Sequence, residues 1–373
     1  MRHVSPVPMR AEEARVSAQD TSKSGVGRTG RCALTFASRI VSIARMPTPL
    51  PPRLLIVGPP QHGVVGYATD LSDAVAASFD HAPASDDDST HLHVTDRLFG
   101  RTPEEAAEHL EQLGSGTRLS ITLHDVPQES DGAGFVRRVE AYRRFIGAAS
   151  GIVVNSAHEA ELVHEHLGHR VDDAAVIPIG ARTARPALRP RPAIDERGGT
   201  VLIGGYIYPG KGHLEVIRAA GDASRSLGGE RPTVVAIGSP SAGHERDVDE
   251  LTRVARTEGV DFRVTGYLDD DAYGRERYAH GVPVAAHQHV SASRSILDWV
   301  ESGRRALVVD SRYAREMAAL RPGTITLYRP QQLAEQITRA WHEPESTWLH
   351  PATVLTPTLA DAALAYRRWW AAL

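Results

Sequence analysis

Short apolar runs alternate with helical stretches along most of this 373-residue chain, and the rhythm is stated twice. In the first statement Leu54-Leu55-Ile56-Val57 runs into Gly58, a buried parallel strand by length and flank. Strands are expected at His91–Thr95, Leu119–His124 and Gly151–Asn155, with helices at Pro103–Leu113, Phe135–Ala149 and Glu159–Leu167 between and after them. A Pro- and Arg-rich break, Thr183–Pro192, interrupts the pattern. It then restarts with strands at Thr200–Gly204, Thr233–Ile237, Asp261–Thr265, Val282–Ala286 and Ala306–Val309. Helices are expected at His213–Ala223, Glu245–Glu258, Asp271–Ala279, Ser295–Glu301 and Pro330–Trp341. Strands alternating with helices specify a parallel α/β sheet, so the chain reads as two doubly wound sheets joined by a linker. Such sheets bind ligands at the carboxyl ends of their strands, and two of them face to face make a cleft.

The length suits two domains, each large enough for its own core. The expected boundaries are a tail over 1–52, a first Rossmann-like domain over 53–182, a linker over 183–198, a second such domain over 199–355, and a C-terminal helical segment, 356–373, packing back on the first domain. The tail is Arg-, Ser- and Thr-rich, poor in acids, and ends in Pro47-Thr48-Pro49-Leu50-Pro51-Pro52. It reads as disordered. A transit peptide and a start at Met46 are the competing readings. The formal net charge of -4 gives no general basic field for nucleic acid. With Cys32 the one cysteine, intramolecular disulfides and Cys-based zinc sites are excluded, and a cytoplasmic location is expected. No apolar run is long enough to span a membrane.

Four constellations can carry chemistry. The first is Gly204-Gly205-Tyr206-Ile207-Tyr208-Pro209-Gly210-Lys211-Gly212, between a strand and a helix. Glycines let backbone approach a ligand, the helix start offers free N–H groups, and Lys211 adds a mobile charge. An ordinary glycine-rich turn with a surface lysine has the same spacing. Neither the Walker pattern nor the dinucleotide fingerprint is present. The second is the stretch from His287 to Gly303, where Ser293 or Ser295 is placed to cap a helix and Asp298 lies one turn in, suited to vicinal hydroxyls such as those of a ribose. The serines can equally serve as caps alone. His287 and His289 lack a third metal ligand in sequence, so no metal is expected. The third is His124-Asp125 at a strand's carboxyl end, where a histidine can point into the cleft mouth. The fourth is the loop His62-Gly63-Val64-Val65-Gly66 after the first strand. Asp86-Asp87-Asp88 reads as polar loop and Asp269-Asp270-Asp271 as helix capping, neither as a metal site.

Together these stretches resemble the family 4 retaining glycosyltransferases of the GT-B fold, from about Arg53 to the C-terminus. That family has a Gly-Arg-x-x-x-x-Lys-Gly pattern whose arginine and lysine bind the donor diphosphate. Gly205 and Lys211-Gly212 match it, and Tyr206 stands at the arginine position. Its second signature is two acids with seven residues between them, followed by a glycine and a strand. Asp298, Gly303 and Ala306–Val309 fit, and Val290 falls on the first acid position. His289 or Ser291 is then left to meet donor-sugar hydroxyls. Val153-Val154-Asn155-Ser156 with Glu159, Ile177–Gly180 and Thr265–Asp270 resemble further family segments in the family's order.

The resemblance implies transfer of a sugar from a nucleotide-diphosphate sugar to an unknown acceptor (glycan, lipid or small molecule), with retention of configuration and without a cofactor or metal. His124 and Lys211 would be catalytic. Gly63, Gly205, Tyr206, Lys211, His289, Ser291, Ser293, Ser295 and Asp298 would bind the donor. Members of the family can touch membranes peripherally through the first domain, and no clear basic amphipathic helix here supports that. A GT-B epimerase, a sugar phosphorylase and a non-catalytic nucleotide-sugar-binding protein are the alternatives.

Overall fold

The computed structural model describes residues 50–79, 86–187, 189, 199–229 and 231–373. Most of the expected tail and of the expected 183–198 linker lie outside them. The first half runs β1 (Pro52–Leu54), α1 (Gly63–Ala77), β2 (Asp86–Val94), a short α2 (Asp96–Phe99), α3 (Pro103–Gly116), β3 (Arg118–Leu123), α4 (Phe135–Ala148), β4 (Gly151–Val153) and α5 (Ala157–Leu162). The strands form a parallel sheet in the order β1-β2-β3-β4.

Period-two alternation decides what covers each face. Leu119, Ile121 and Leu123 of β3 pack with Leu92 and Val94 of β2 against Ala106 and Leu110 of α3 and Tyr142 and Phe145 of α4. Full burial of each Leu or Ile stabilises the fold by about 1.5–3 kcal/mol. The intervening residues His91, His93, Ser120 and Thr122 face the other way and are buried as well.

The second half runs β5 (Thr200–Gly204), α6 (His213–Leu227), β6 (Thr233–Ile237), α7 (Glu245–Glu258), β7 (Asp261–Val264), α8 (Asp270–Tyr278), β8 (Val282–Ala285), α9 (Arg294–Glu301), β9 (Ala306–Val309), α10 (Arg312–Leu320), β10 (Ile325–Tyr328) and α11 (Leu333–His342), and α12 (Leu359–Trp370) ends the chain. Its sheet is parallel with order β10-β9-β8-β5-β6-β7. β5 is central, and the order reverses between β5 and β8. At such a reversal the loops leaving two neighbouring strands diverge to opposite faces and open a crevice at the carboxyl ends. One face carries α6, α7 and α11 through Val216, Ile217, Leu251 and Ile337. The other carries α9 and α10 through Ile296, Trp299 and Tyr313.

The backbone crosses between the halves twice, side by side. Ala181 N donates to Pro357 O at 3.0 Å, and Leu359 N donates to Ala181 O at 2.8 Å. The buried Arg321 guanidinium donates to Ile179 O (2.9 Å), Pro357 O (2.8 Å) and Leu355 O (3.2 Å), so one side chain holds both crossings. Past the second crossing, Thr358 and Asp361 form a capping box that starts α12. That helix lays Ala363, Tyr366 and Trp370 against Leu71 and Val75 of α1. Ala184 and Ala187, at the start of the Pro- and Arg-rich break, already pair with Leu355 and Glu301.

Several local expectations are corrected. Gly63 and Gly66 lie in the first turn of α1, not in a loop, because His62 caps the helix with Nδ1 accepting from Val64 N at 3.3 Å. β1 stops at Leu54. It is an edge strand, and beyond it a single ladder-like bond from Leu55 N to His91 O continues the run. Asp86–Asp88 open β2 instead of forming a loop, and Asp86 pairs with Pro52 of β1 despite the poor strand propensity of aspartate. The helix expected to Leu167 changes to a π turn over Val163–Leu167. α10 and β10 were not expected at all.

Candidate functional site

The crevice at the β5/β8 reversal is lined by the two loops the sequence singled out. After β5 the chain turns with Gly205 at φ +102° and Gly212 at φ +93°, a region that L side chains rarely adopt. Each glycine is also required by closeness. A Cβ at Gly212 would lie 2.2 Å from Ala286 O, and one at Gly205 would lie 3.1 Å from Lys211 Nζ. The bare backbone therefore leaves a channel along which Lys211 folds back into the crevice, where it is only 4% exposed. Its ammonium donates to Ser295 Oγ at 3.2 Å and to His287 Nε2 at 2.6 Å. Burial pulls the Lys211 pKa down to about 8, with the Asp298 carboxylate acting in the opposite direction.

β8 delivers the partners. His287, two residues past the strand, is buried, and burial together with the Lys211 charge holds it neutral, well below the usual histidine range. His213, at the start of α6, is lowered to about 3 by burial and by Lys211. Ser293 caps α9: its Oγ accepts from Ile296 N at 3.4 Å and lies 3.1 Å from Ser295 Oγ. The first-turn N–H groups of α9 lack intrahelical partners and present the positive end of the helix. Lys211, Ser293 and Ser295 thus meet at one place with helix amides, and the arrangement suits an anion that brings several oxygens.

Asp298 lies one turn into α9, also in this crevice wall, and is buried among arginines. Its Oδ1 is 3.1 Å from Arg294 Nε, 3.6 Å from Arg277 Nη1 and 3.7 Å from Arg182 Nη1. Arg294 is held in turn by Glu301 at 2.5 Å. Nothing in the sequence linked these arginines to Asp298, apart from the i,i+4 spacing of Arg294.

The first half supplies the opposite wall. A Cβ at Gly63 would meet nothing within 4 Å, so open space fronts the start of α1. His124 does not project freely into the cleft mouth. It is buried, its Nε2 is 2.9 Å from His93 Nδ1, its Nδ1 is 3.4 Å from Asn155 Nδ2, and its ring stacks on that of His93. Burial holds both rings well below the usual histidine pKa.

Ser291 is placed differently from the expectation of a sugar contact. Its hydroxyl accepts from Val126 N at 2.9 Å and donates to Glu159 Oε1 at 2.5 Å, bridging the two halves. Glu159 also accepts from Asn155 N at 2.7 Å, and burial pushes its pKa up to about 7 against these hydrogen bonds. Beside it, Glu316 of α10 accepts from Ala157 N (2.7 Å) and His158 N (2.9 Å) at the start of α5. His158 donates from Nε2 to Val290 O at 2.9 Å. Tyr206, half exposed, donates to Gln61 O at 3.1 Å, again across the cleft. His289 is exposed and lies beside Gly210.

Among the described residues no group of three His, Cys, Asp or Glu is arranged to hold a metal ion. Nor is any described helix long and apolar enough to cross a membrane.

No protein-family model matches this chain, and no curated protein matches it by sequence. Solved structures do match in three dimensions. Anabaena HepE, solved in complex with UDP and glucose, is 15% identical over 83% of this chain and 82% of its own, with a TM-score of 0.54. WaaG, a glycosyltransferase involved in lipopolysaccharide biosynthesis, is 12% identical over 86% and 95%, with a TM-score of 0.53. Sucrose-phosphate synthase from Thermosynechococcus elongatus is 14% identical over 80% and 71%, with a TM-score of 0.52. At such identities the likeness speaks to architecture, and the architecture is the GT-B fold: two α/β halves built on parallel sheets.

Proposed function

We propose that this protein is a retaining glycosyltransferase of the family 4 type, moving a sugar from a nucleotide-diphosphate sugar to an acceptor. The observation that carries the reading is the buried Lys211 ammonium, set among Ser295, His287 and the start of α9 where the strand order reverses. An unpaired ammonium is costly to bury, and this one has hydroxyl and imidazole neighbours but, among the described residues, no carboxylate within ion-pairing distance. A diphosphate supplies the missing negative charge. HepE was solved with UDP and with UDP-glucose, which makes UDP-sugars the first donors to try.

In this mechanism Lys211, Ser293, Ser295 and the α9 amides stabilise the charge that develops on the leaving diphosphate. The preorganised groups need no reorientation as the glycosidic bond breaks. The diphosphate itself takes the acceptor proton, so no protein nucleophile and no metal are required. Asp298 would accept from the ribose hydroxyls, Gly205 and Tyr206 would border the diphosphate, and His289 would reach the sugar from the cleft rim. Gly63 would leave room for donor or acceptor at the opposite wall, and His124, held neutral, would shape the sugar site from the end of β3.

The test is a product assay across nucleotide sugars and glycan, lipid and small-molecule acceptors. The reading predicts release of free nucleoside diphosphate with a new glycoside of retained configuration. Loss of one transition-state contact at Lys211→Ala should lower turnover about 100- to 1,000-fold. A Lys211→Ala protein that turns over at the full rate overturns it. A binding protein without turnover is the second reading. It is favoured by Ser291, whose hydroxyl is engaged across the cleft, and by Val290 at the first acid position. Donor binding without transfer or hydrolysis would select it.

A further inference from the structure

Lys211 brings one positive charge to the crevice, whereas a diphosphate brings more than one negative charge. Tyr206 adds none, and Arg277, Arg294 and Arg182 are ion-paired with Asp298 and Glu301, although Nε and Nη1 of both Arg277 and Arg294 carry no hydrogen bond. His287 stands against that charge with one ring nitrogen paired and the other unpaired. Its Nε2 accepts from the Lys211 ammonium at 2.6 Å, which fixes the ring's own proton on Nδ1. That Nδ1–H is buried and has no hydrogen-bond partner. His213 close by has neither ring nitrogen paired, though the residue is only 3% exposed. Buried polar atoms are nearly always paired, so three unpaired ring nitrogens beside a buried ammonium mark a place built for a further ligand.

We propose that His287 takes up a proton as a diphosphate enters the crevice and becomes the second positive charge that holds it, an inference that rests on the donor-site reading above. Lys211 and His287 share one contact, and a second charge 2.6 Å from the ammonium is excluded. When the diphosphate draws the ammonium to its own oxygens, Nε2 is released. One solvent proton binds Nε2, no other bond changes, and the imidazolium donates to a phosphate oxygen. The groups facing His287 are Lys211 from the β5–α6 turn, His213 from α6 and Ser295 from α9, with the Asp298 carboxylate acting on Lys211. Until the ligand arrives, burial first and the Lys211 charge second keep the ring neutral.

Calorimetric titration with UDP, GDP and ADP in buffers of differing ionisation enthalpy reads the proton count directly. At about pH 7 the pocket draws protons off the nucleotide, so the ligand contributes release. Lys211, with a pKa near 8, contributes uptake of about a tenth of a proton. Wild type should nonetheless take up roughly half to one proton per nucleotide bound. His287→Gln should lose that uptake and bind roughly tenfold more weakly, a deficit that closes as the pH is raised toward about 9. His213→Gln should keep the uptake.

Nucleotide binding to wild type without proton uptake overturns the proposal and leaves the donor-site reading standing. That result needs no variant and is unaffected by any folding defect. Uptake lost in His213→Gln and kept in His287→Gln overturns it too. If no nucleoside diphosphate binds wild type, the donor-site reading itself falls.

Discussion

A single methyl group tests the geometry around Lys211. At Gly205→Ala the added Cβ meets Nζ at 3.1 Å on a backbone held at φ +102°, so either the turn or the ammonium must move. Strain at such a position is about 1–3 kcal/mol, and the expected outcome is nucleotide affinity weakened by roughly tenfold or more. Unchanged affinity in a folded Gly205→Ala protein would show that the ammonium is not confined as described. At this scale the sequence was informative wherever a group's position follows from its neighbours in the chain. Lys211, Ser293 and Ser295 could be placed because a strand, a glycine-rich turn and a helix start fix them locally. His287 could not be paired with Lys211 in the same way. The two are 76 positions apart and meet only because β5 and β8 become neighbours when the strand order reverses. Nor could Ser291 be read as a bridge to Glu159, 132 positions away in the opposite half.

Among the elements, the polar face of β2 and β3 under α12 has the clearest consequence for stability. His91 lies 2.9 Å from Ser120 Oγ and 3.0 Å from Thr122 Oγ1, and Thr122 reaches Tyr366 Oη at 2.8 Å. Burial lowers the His91 pKa to about 3 and holds His93 and His124 well below their usual range. The unfolded chain protonates such residues near 6.5, so their contribution is complete above about 6.5 and is lost as the pH falls toward 3. Each histidine alters stability by up to about 1.4 kcal/mol per pH unit in that window. Glu159 has the opposite sign. Its folded pKa of about 7 exceeds the ordinary 4.5, so its contribution is lost as the pH rises through that interval. Three histidines outweigh one glutamate, and the melting temperature should fall between pH 7 and pH 5. A flat or rising melting temperature there would contradict the buried neutral strip. The pattern of elements was largely legible, because alternation of apolar runs with helical periodicity survives without tertiary information. α10 and β10 were missed although Ser311 caps one and Ile325–Tyr328 forms a β-rich run for the other. β1 and the start of β2 were misjudged because strand ends are set by what pairs beside them.

For the whole molecule, specific polar contacts tie the two halves across the cleft. Ser291 joins Val126 to Glu159, Glu316 caps α5, and Arg321 binds both crossings. Ser291→Ala removes a buried donor from Glu159 and a buried acceptor from Val126 N. A loss of about 1–3 kcal/mol of stability is expected, measurable by denaturant unfolding. Unaltered stability would mean that the contact is dispensable to the joining of the two halves. The sequence anticipated two α/β halves and a cleft, since each half repeats the same rhythm around its own core. It could not anticipate which side chains join them, because cross-cleft contacts leave no periodic trace. All of this hangs on the crevice at the β5/β8 reversal being a diphosphate site built on Lys211. The most direct measurement is calorimetric affinity for nucleoside diphosphates, compared between wild type and Lys211→Ala. Wild type should bind at least one of UDP, GDP or ADP, and affinity should be at least about tenfold weaker once the ammonium is gone. Equal affinity in the two proteins, or no binding by wild type, would contradict it.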